Sequence, residues 1–229
     1  VGGAPTSGPG QPVMQVTTGT SPAWQLPTAV RRLFGREDEL AWLDAAAGRA
    51  DGPDIHAPDA DGAAASARVA VLTGMGGVGK TAVALSWGHR RRSSFPDGQL
   101  FADLGGYGPG SPADPAQVLT LFVRALGAPP SAIPGDLDGL AALFRSLCTG
   151  RKLLVVLDNA ATAEQVLPLL PASSGAVAVV TSRRSLNGLT VRADARRLLV
   201  RPLPGEQAVA LLARDLPDID PARLRRLAI

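Results

Sequence analysis

The octapeptide Gly74-Met75-Gly76-Gly77-Val78-Gly79-Lys80-Thr81 constrains this chain more than any other feature. It follows a short apolar run at residues 68–73 and precedes a stretch with helical character at residues 80–90. The Gly-x-x-x-x-Gly-Lys-Thr spacing, set between a strand and a helix, is that of a phosphate-binding loop. Glycines let successive backbone N–H groups turn inward around an anion, and the helix N-terminus adds partial positive charge. In such a loop Lys80 reaches the β- and γ-phosphates and the Thr81 hydroxyl ligates Mg²⁺. Candidate nucleotide contacts therefore run from Met75 through Gly76, Gly77, Val78, Gly79, Lys80 and Thr81 to Ala82. The plainer reading is a Gly-rich turn that binds nothing. It would leave the four glycines, the Lys-Thr pair and both flanking elements as coincidence.

The surrounding pattern is one of alternation. Residues 68–73, 98–104, 153–158, 176–181 and 197–200 read as short strands, and residues 80–90, 114–127, 136–149, 163–170, 205–214 and 221–227 as helices. Strands that are apolar throughout are buried on both faces. With helices between them, they predict an α/β P-loop fold: a three-layer sandwich with a five-stranded parallel sheet and helices on both faces. A further helix is expected at residues 38–50, with Leu40, Leu43 and Ala47 on one face. Residues 1–28, rich in Gly, Pro, Thr and Ser, read as a flexible linker, with Trp24 and Leu26 available to pack on the domain edge. The folded domain is expected over residues 29–229, interrupted by a poorly ordered insertion at 48–67.

Two more strand ends carry chemistry. Leu153-Leu154-Val155-Val156-Leu157-Asp158 places an acid at the tip of a buried strand, where it points into the phosphate crevice and would hold Mg²⁺ directly or through water. The competing reading is a helix cap. Val179-Val180-Thr181-Ser182-Arg183 ends in two hydroxyls and an arginine that could reach a γ-phosphate. A fourth stretch, Leu33-Phe34-Gly35-Arg36-Glu37-Asp38-Glu39, precedes the first helix and on residues alone is equally a loop with acids at a helix start. His56 and His89 have no metal partner in the sequence. Cys148 reads as a core residue, and Arg90-Arg91-Arg92 as a solvated helix end.

Composition adds limits. The net charge is +3, and Lys80 and Lys152 are the only lysines. Arginine and alanine usage suggests a high-GC bacterial source. Scattered arginines give little reason to expect DNA contact by this chain itself. No apolar run approaches the roughly 18 residues a membrane helix needs. One cysteine excludes an internal disulfide and fits a reducing, cytoplasmic setting. Both ends read as cuts in a longer protein, and residues 1–10 lack the features of a signal peptide.

Together the four motifs resemble the NB-ARC branch of the STAND signal-transduction ATPases. The closest likeness is to the ATPase module of large bacterial SARP-type antibiotic-regulatory activators. Leu33 to Glu39 is similar to that group's hydrophobic-hydrophobic-Gly-Arg-x-x-Glu motif, and the resemblance implies that Phe34, Gly35 and Arg36 contact the adenine. It also implies a sheet in which the fourth strand lies between the P-loop strand and the Asp158 strand, bringing Arg183 beside Lys80. The family often has a second acid after the Mg²⁺-binding aspartate. Asn159 stands there instead, and an amide orients water but cannot take its proton. Slow hydrolysis is expected, or the use of another acid such as Asp103 or Glu164. A closing Gly-x-Pro and winged-helix region is expected beyond Ile229.

The resulting expectation is a switch that binds ATP and ADP with Mg²⁺ and hydrolyses ATP slowly. The catalytic set is Lys80, Asp158, Asn159 and Arg183, and the metal ligands are Thr81 and Asp158. Contact with DNA is expected only through domains outside this chain, self-association is open, and no membrane partner is expected. Two alternatives stay open: a DNA- or partner-binding module with a vestigial nucleotide site, and a P-loop kinase of small molecules.

Overall fold

The computed structural model describes residues 22–29, 33–48, 67–108, 110–215 and 220. The sequence-predicted helix at 221–227, most of the insertion, His56 and the first 21 residues lie outside them.

The chain folds as an α/β sandwich. Its strands are β1 (Ala23–Trp24), β2 (Arg68–Thr73), β3 (Gly98–Asp103), β4 (Leu153–Ala160), β5 (Val177–Ser182) and β6 (Arg196–Leu199). They form one sheet in the order β1-β3-β4-β5-β2-β6, and every pairing is parallel. β5 lies between β2 and β4, as the family resemblance implies. The helices are α1 (Glu37–Ala47), α2 (Lys80–Arg90), α3 (Pro115–Ala125), α4 (Leu137–Cys148), α5 (Ala163–Val166), α6 (Asn187–Ala193) and α7 (Gly205–Asp215).

Among the described residues there are six strands where five were expected. The extra one, β1, falls in the stretch read as linker. Ala23 and Trp24 pair with Gly98 and Gln99 on the β3 edge. Side chains secure it: Arg92 Cζ sits 4.1 Å from the Trp24 ring centroid, and His89 Nε2 hydrogen-bonds to the Pro27 carbonyl at 2.8 Å. The last four residues of the expected 163–170 helix are not α-helical. Leu167–Leu169 tightens into a 3₁₀ turn around Pro168, because proline cannot donate into a continuing α-helix.

The apolar strands are continuous because both faces of the sheet are covered. Val69, Val71, Leu153, Val155, Leu157, Ala178 and Val180 pack on one side with Val118, Phe122, Leu140 and Phe144 from α3 and α4. The alternate residues Ala70, Leu72, Leu154, Val156, Val177 and Val179 pack on the other with Leu40, Leu43, Val83 and Trp87 from α1 and α2. At roughly 25 cal/mol per Å² of buried apolar surface, this two-sided burial is the main force holding the sheet. Asp114 and Asp136 start α3 and α4 as N-caps, accepting from Ala116 N and Gly139 N, which satisfies amides with no partner in the helix.

Candidate nucleotide site

The parallel sheet aims the C-terminal ends of β2, β4 and β5 at one crevice. Residues 74–79 leave β2 there and feed α2, whose N-cap is Gly79 at φ 101°. Gly77 also has positive φ, at 77°, a conformation glycine adopts at little cost. Gly74, also at positive φ (146°), is constrained by close packing as well: a Cβ on it would lie 2.5 Å from the Val200 carbonyl oxygen. The loop therefore rests on the chain leaving β6. Met75, Gly76 and Gly77 are exposed at its tip, while Val78, Gly79, Thr81 and Ala82 are half-buried.

Lys80 is 8% exposed. Its Nζ donates to the carbonyls of Gly74 at 3.0 Å and Met75 at 2.8 Å. Burial pushes its pKa below the ordinary lysine value, the Arg183 charge pushes the same way, and Asp158 opposes both.

Asp158 ends the apolar part of β4 and is 8% exposed. Its Oδ1 accepts from Thr81 Oγ1 at 2.8 Å and from Thr181 Oγ1 at 2.5 Å. A hydroxyl and a carboxylate side by side at a helix N-terminus are the hard-oxygen pair that Mg²⁺ prefers, since this ion usually takes one or two protein ligands and completes its shell with water and phosphate. Among the described residues, no group of three or more His, Cys, Asp and Glu is placed to hold a metal. The hydroxyl and carboxylate of Thr81 and Asp158 are a donor set that fits an ion completing its shell with water and phosphate.

Arg183 leaves β5 and lies against the loop tip: a Cβ on Gly76 would come 3.1 Å from its Cζ. Asn159 follows Asp158 with φ 57°. Its backbone N donates to Thr181 Oγ1 at 2.9 Å, and its side-chain amide turns toward Asp103 Oδ1 at 3.5 Å and the Tyr107 carbonyl at 3.4 Å. Of the two alternative acids, Asp103 stands opposite Asp158 in the β3–β4 register, whereas Glu164 is exposed on α5.

Arg36 is 6% exposed and is held by protein. Nη1 donates to Glu39 Oε1 at 2.7 Å and to the Arg201 carbonyl at 2.9 Å, and Nη2 donates to the Val78 carbonyl at 2.7 Å. It therefore brackets the start of α1, the phosphate loop and the chain after β6. The Gly35-Arg36-x-x-Glu39 spacing follows from this, because Glu39 sits one helical turn on and pairs with the guanidinium. Phe34 is exposed beside it, and Gly35 packs against Leu203 and Gln207.

Sequence reasoning gave no role to Thr181 on Asp158, to Tyr107 beside Arg183, or to the chain after β6 beneath Gly74. A hydroxyl closing an otherwise apolar strand was the available signal for Thr181.

No model of a known protein family matches the chain. It is 45% identical over 173 residues to the regulatory protein AfsR of Streptomyces coelicolor, covering 74% of this chain and 17% of that protein. It is 40% identical over 190 residues to AfsR of Streptomyces griseus, covering 83% and 18%. The chain therefore spans less than a fifth of these relatives. Among solved structures it is similar to a STAND protein with a tetratricopeptide repeat sensor from Pyrococcus horikoshii (TM-score 0.52, 16% identity, 89% of this chain and 28% of that one). It is also similar to Cdc6p from Pyrobaculum aerophilum (TM-score 0.60, 16% identity, 88% and 56%). A third is the Aeropyrum pernix ORC2 protein, solved as ADPNP–ADP complexes (TM-score 0.52, 15% identity, 88% and 58%). In sequence the chain is similar to one segment of the AfsR regulators, and its α/β fold is the one it shares with these three solved structures.

Proposed function

We propose that this chain is the nucleotide switch of a bacterial transcriptional regulator, binding ATP or ADP with Mg²⁺ and hydrolysing ATP slowly. The observation that carries the reading is the convergence of Lys80, Thr81, Asp158 and Arg183 on one glycine loop, with Asp158 Oδ1 already hydrogen-bonded to Thr81. Lys80 and the amides of residues 75–82 would hold the phosphates, and Thr81 and Asp158 the metal. Arg183 would meet the γ-phosphate and so distinguish ATP from ADP. A ligand shifts a two-state equilibrium only through contacts that differ between the states, and the γ-phosphate contact supplies that difference.

Slow turnover follows from Asn159, which can orient a water but not deprotonate it. Asp103 is the carboxylate best placed to assist. DNA contact belongs in this reading to domains outside the chain, self-association to the whole regulator, and the setting is cytoplasmic. No helix among the described residues is long and apolar enough to cross a membrane.

Single-turnover phosphate release tests the hydrolytic part. The wild-type chain with Mg²⁺ and ATP should release phosphate slowly, and Asp158→Asn should bind nucleotide yet release none. Equal release by both proteins would remove Asp158 as the metal ligand. Transfer of the phosphoryl group to a small molecule instead of water would favour a kinase.

A further inference from the structure

Tyr107, the only tyrosine of the chain, lies in the loop between β3 and α3, and its side chain has been given no role so far. Its ring faces Arg183, whose Cζ is 4.8 Å from the ring centroid. The same guanidinium lies close to Gly76, where a Cβ would come 3.1 Å from Cζ. Arg183 is thus near both an aromatic ring and the tip of the phosphate loop. No hydrogen bond or ion pair to a described residue fixes its guanidinium.

The ring sits on a firm base. Leu104 N donates to the Asp158 carbonyl at 2.8 Å and Gly106 N to the Asn159 carbonyl at 2.7 Å. Buried Gln165 spans the two ends of the loop, donating to the carbonyls of Leu104 at 2.8 Å and Ala113 at 3.1 Å. The Tyr107 hydroxyl is buried with no hydrogen-bond partner among the described residues. What Tyr107 offers Arg183 is therefore its π face.

The electrostatics call for such a support. Arg183 and Lys80 are close enough for the Arg183 charge to depress the lysine pKa, so the two cations repel each other. An aromatic face attracts a guanidinium and opposes that repulsion without adding a carboxylate that would compete for the arginine.

We propose that Tyr107 is the positioning residue for Arg183: its ring holds the guanidinium against the phosphate-loop tip, ready for the terminal phosphate of ATP. The proposal rests on the reading of Arg183 as the γ-phosphate contact. Loss of the ring should weaken ATP binding and leave ADP binding unchanged, because ADP lacks the phosphate Arg183 would meet.

The test is calorimetric titration of Mg-ATP and Mg-ADP into the 229-residue chain as wild type, Tyr107→Phe, Tyr107→Leu, Arg183→Ala and the Tyr107→Leu/Arg183→Ala double variant. Tyr107→Leu should lower ATP affinity about two- to tenfold, the range of one cation–π contact, with ADP affinity unchanged. Tyr107→Phe should behave as wild type, and the double variant should match Arg183→Ala alone. Equal loss of ATP and ADP affinity in Tyr107→Leu would make the residue merely structural and overturn the proposal. So would a Phe variant as weak as the Leu variant, a gain in ATP affinity, or additive losses in the double variant. If Arg183→Ala narrows the ATP preference and Tyr107→Leu does not, the proposal falls and the γ-phosphate reading stands. If Arg183→Ala changes nothing, both fall.

Discussion

Thr181 Oγ1 donates a 2.5 Å hydrogen bond to Asp158 Oδ1. It joins two adjacent strands near their C-terminal ends, at the point where Mg²⁺ would bind. The threonine oxygen also accepts from Asn159 N at 2.9 Å, so one buried hydroxyl fixes both the carboxylate and the residue after it. Thr181→Val keeps the shape and removes both bonds. It should cost about 2 kcal/mol in urea unfolding, the usual worth of a hydrogen bond to a charged group. It should also weaken the Mg²⁺-dependent part of ATP affinity roughly tenfold, as loss of a metal ligand's support does. Unchanged Mg²⁺ dependence would mean that Asp158 needs no such orientation.

Lys80 is predicted to make nucleotide affinity depend on pH. Burial first, and Arg183 second, lower its pKa below 10.5. Phosphate prefers the charged ammonium, so binding should draw a proton onto Lys80 once the pH passes its lowered pKa. ATP affinity should therefore fall as pH rises, beginning below the ordinary lysine range, with proton uptake measurable by titration in buffers of different ionisation enthalpy. Lys80→Arg carries a charge that does not titrate in this range and should abolish the alkaline decline. A decline of the same size in Lys80→Arg would assign it to another group.

Arg36 is predicted to act on stability as well as on binding. Its bonds tie Glu39, Val78 and Arg201 together. Arg36→Ala leaves Glu39 with no partner for its largely buried carboxylate and should destabilise the chain by about 3 kcal/mol. Arg36→Lys should recover little, because an ammonium cannot span three acceptors in a planar fork. Chemical denaturation checks both variants. Full recovery by lysine would show that only the charge matters.

Cys148 should be inert in the folded protein. It is fully buried at the end of α4, and burial raises its thiol to about 12 despite the opposing charge of Arg151. Thiolate is the reactive form, so a thiol reagent at neutral pH should label the chain only at the rate of unfolding. Rapid stoichiometric labelling under native conditions would contradict this packing.

The sheet was legible because its strands are apolar on both faces, and α3 and α4 because Asp114 with Pro115, and Asp136, mark their starts. β1 was not legible, since Ala23–Trp24 is two residues among turn-forming neighbours and becomes a strand only by pairing with β3. α6 was missed for a related reason. Asn187–Ala193 contains Gly188 and two β-branched residues and buries only Leu189, so neither propensity nor periodicity marks it. In the site, Lys80, Thr81 and Asp158 could be located because their chemistry lies in contiguous motifs. The contacts of Arg36 with Arg201 and of Arg183 with Tyr107 could not, because these residues come together only in the folded sheet.

The central claim is that residues 74–81 form a nucleotide site. Calorimetric titration of ATP with Mg²⁺ into the wild-type chain and into Lys80→Ala tests it most directly. One saturable site in the wild type and at least a roughly hundredfold weaker one in the variant is the predicted result, since a buried charge-assisted phosphate contact is worth about 3 kcal/mol. No binding by the wild type, or equal affinity in both proteins, would contradict it.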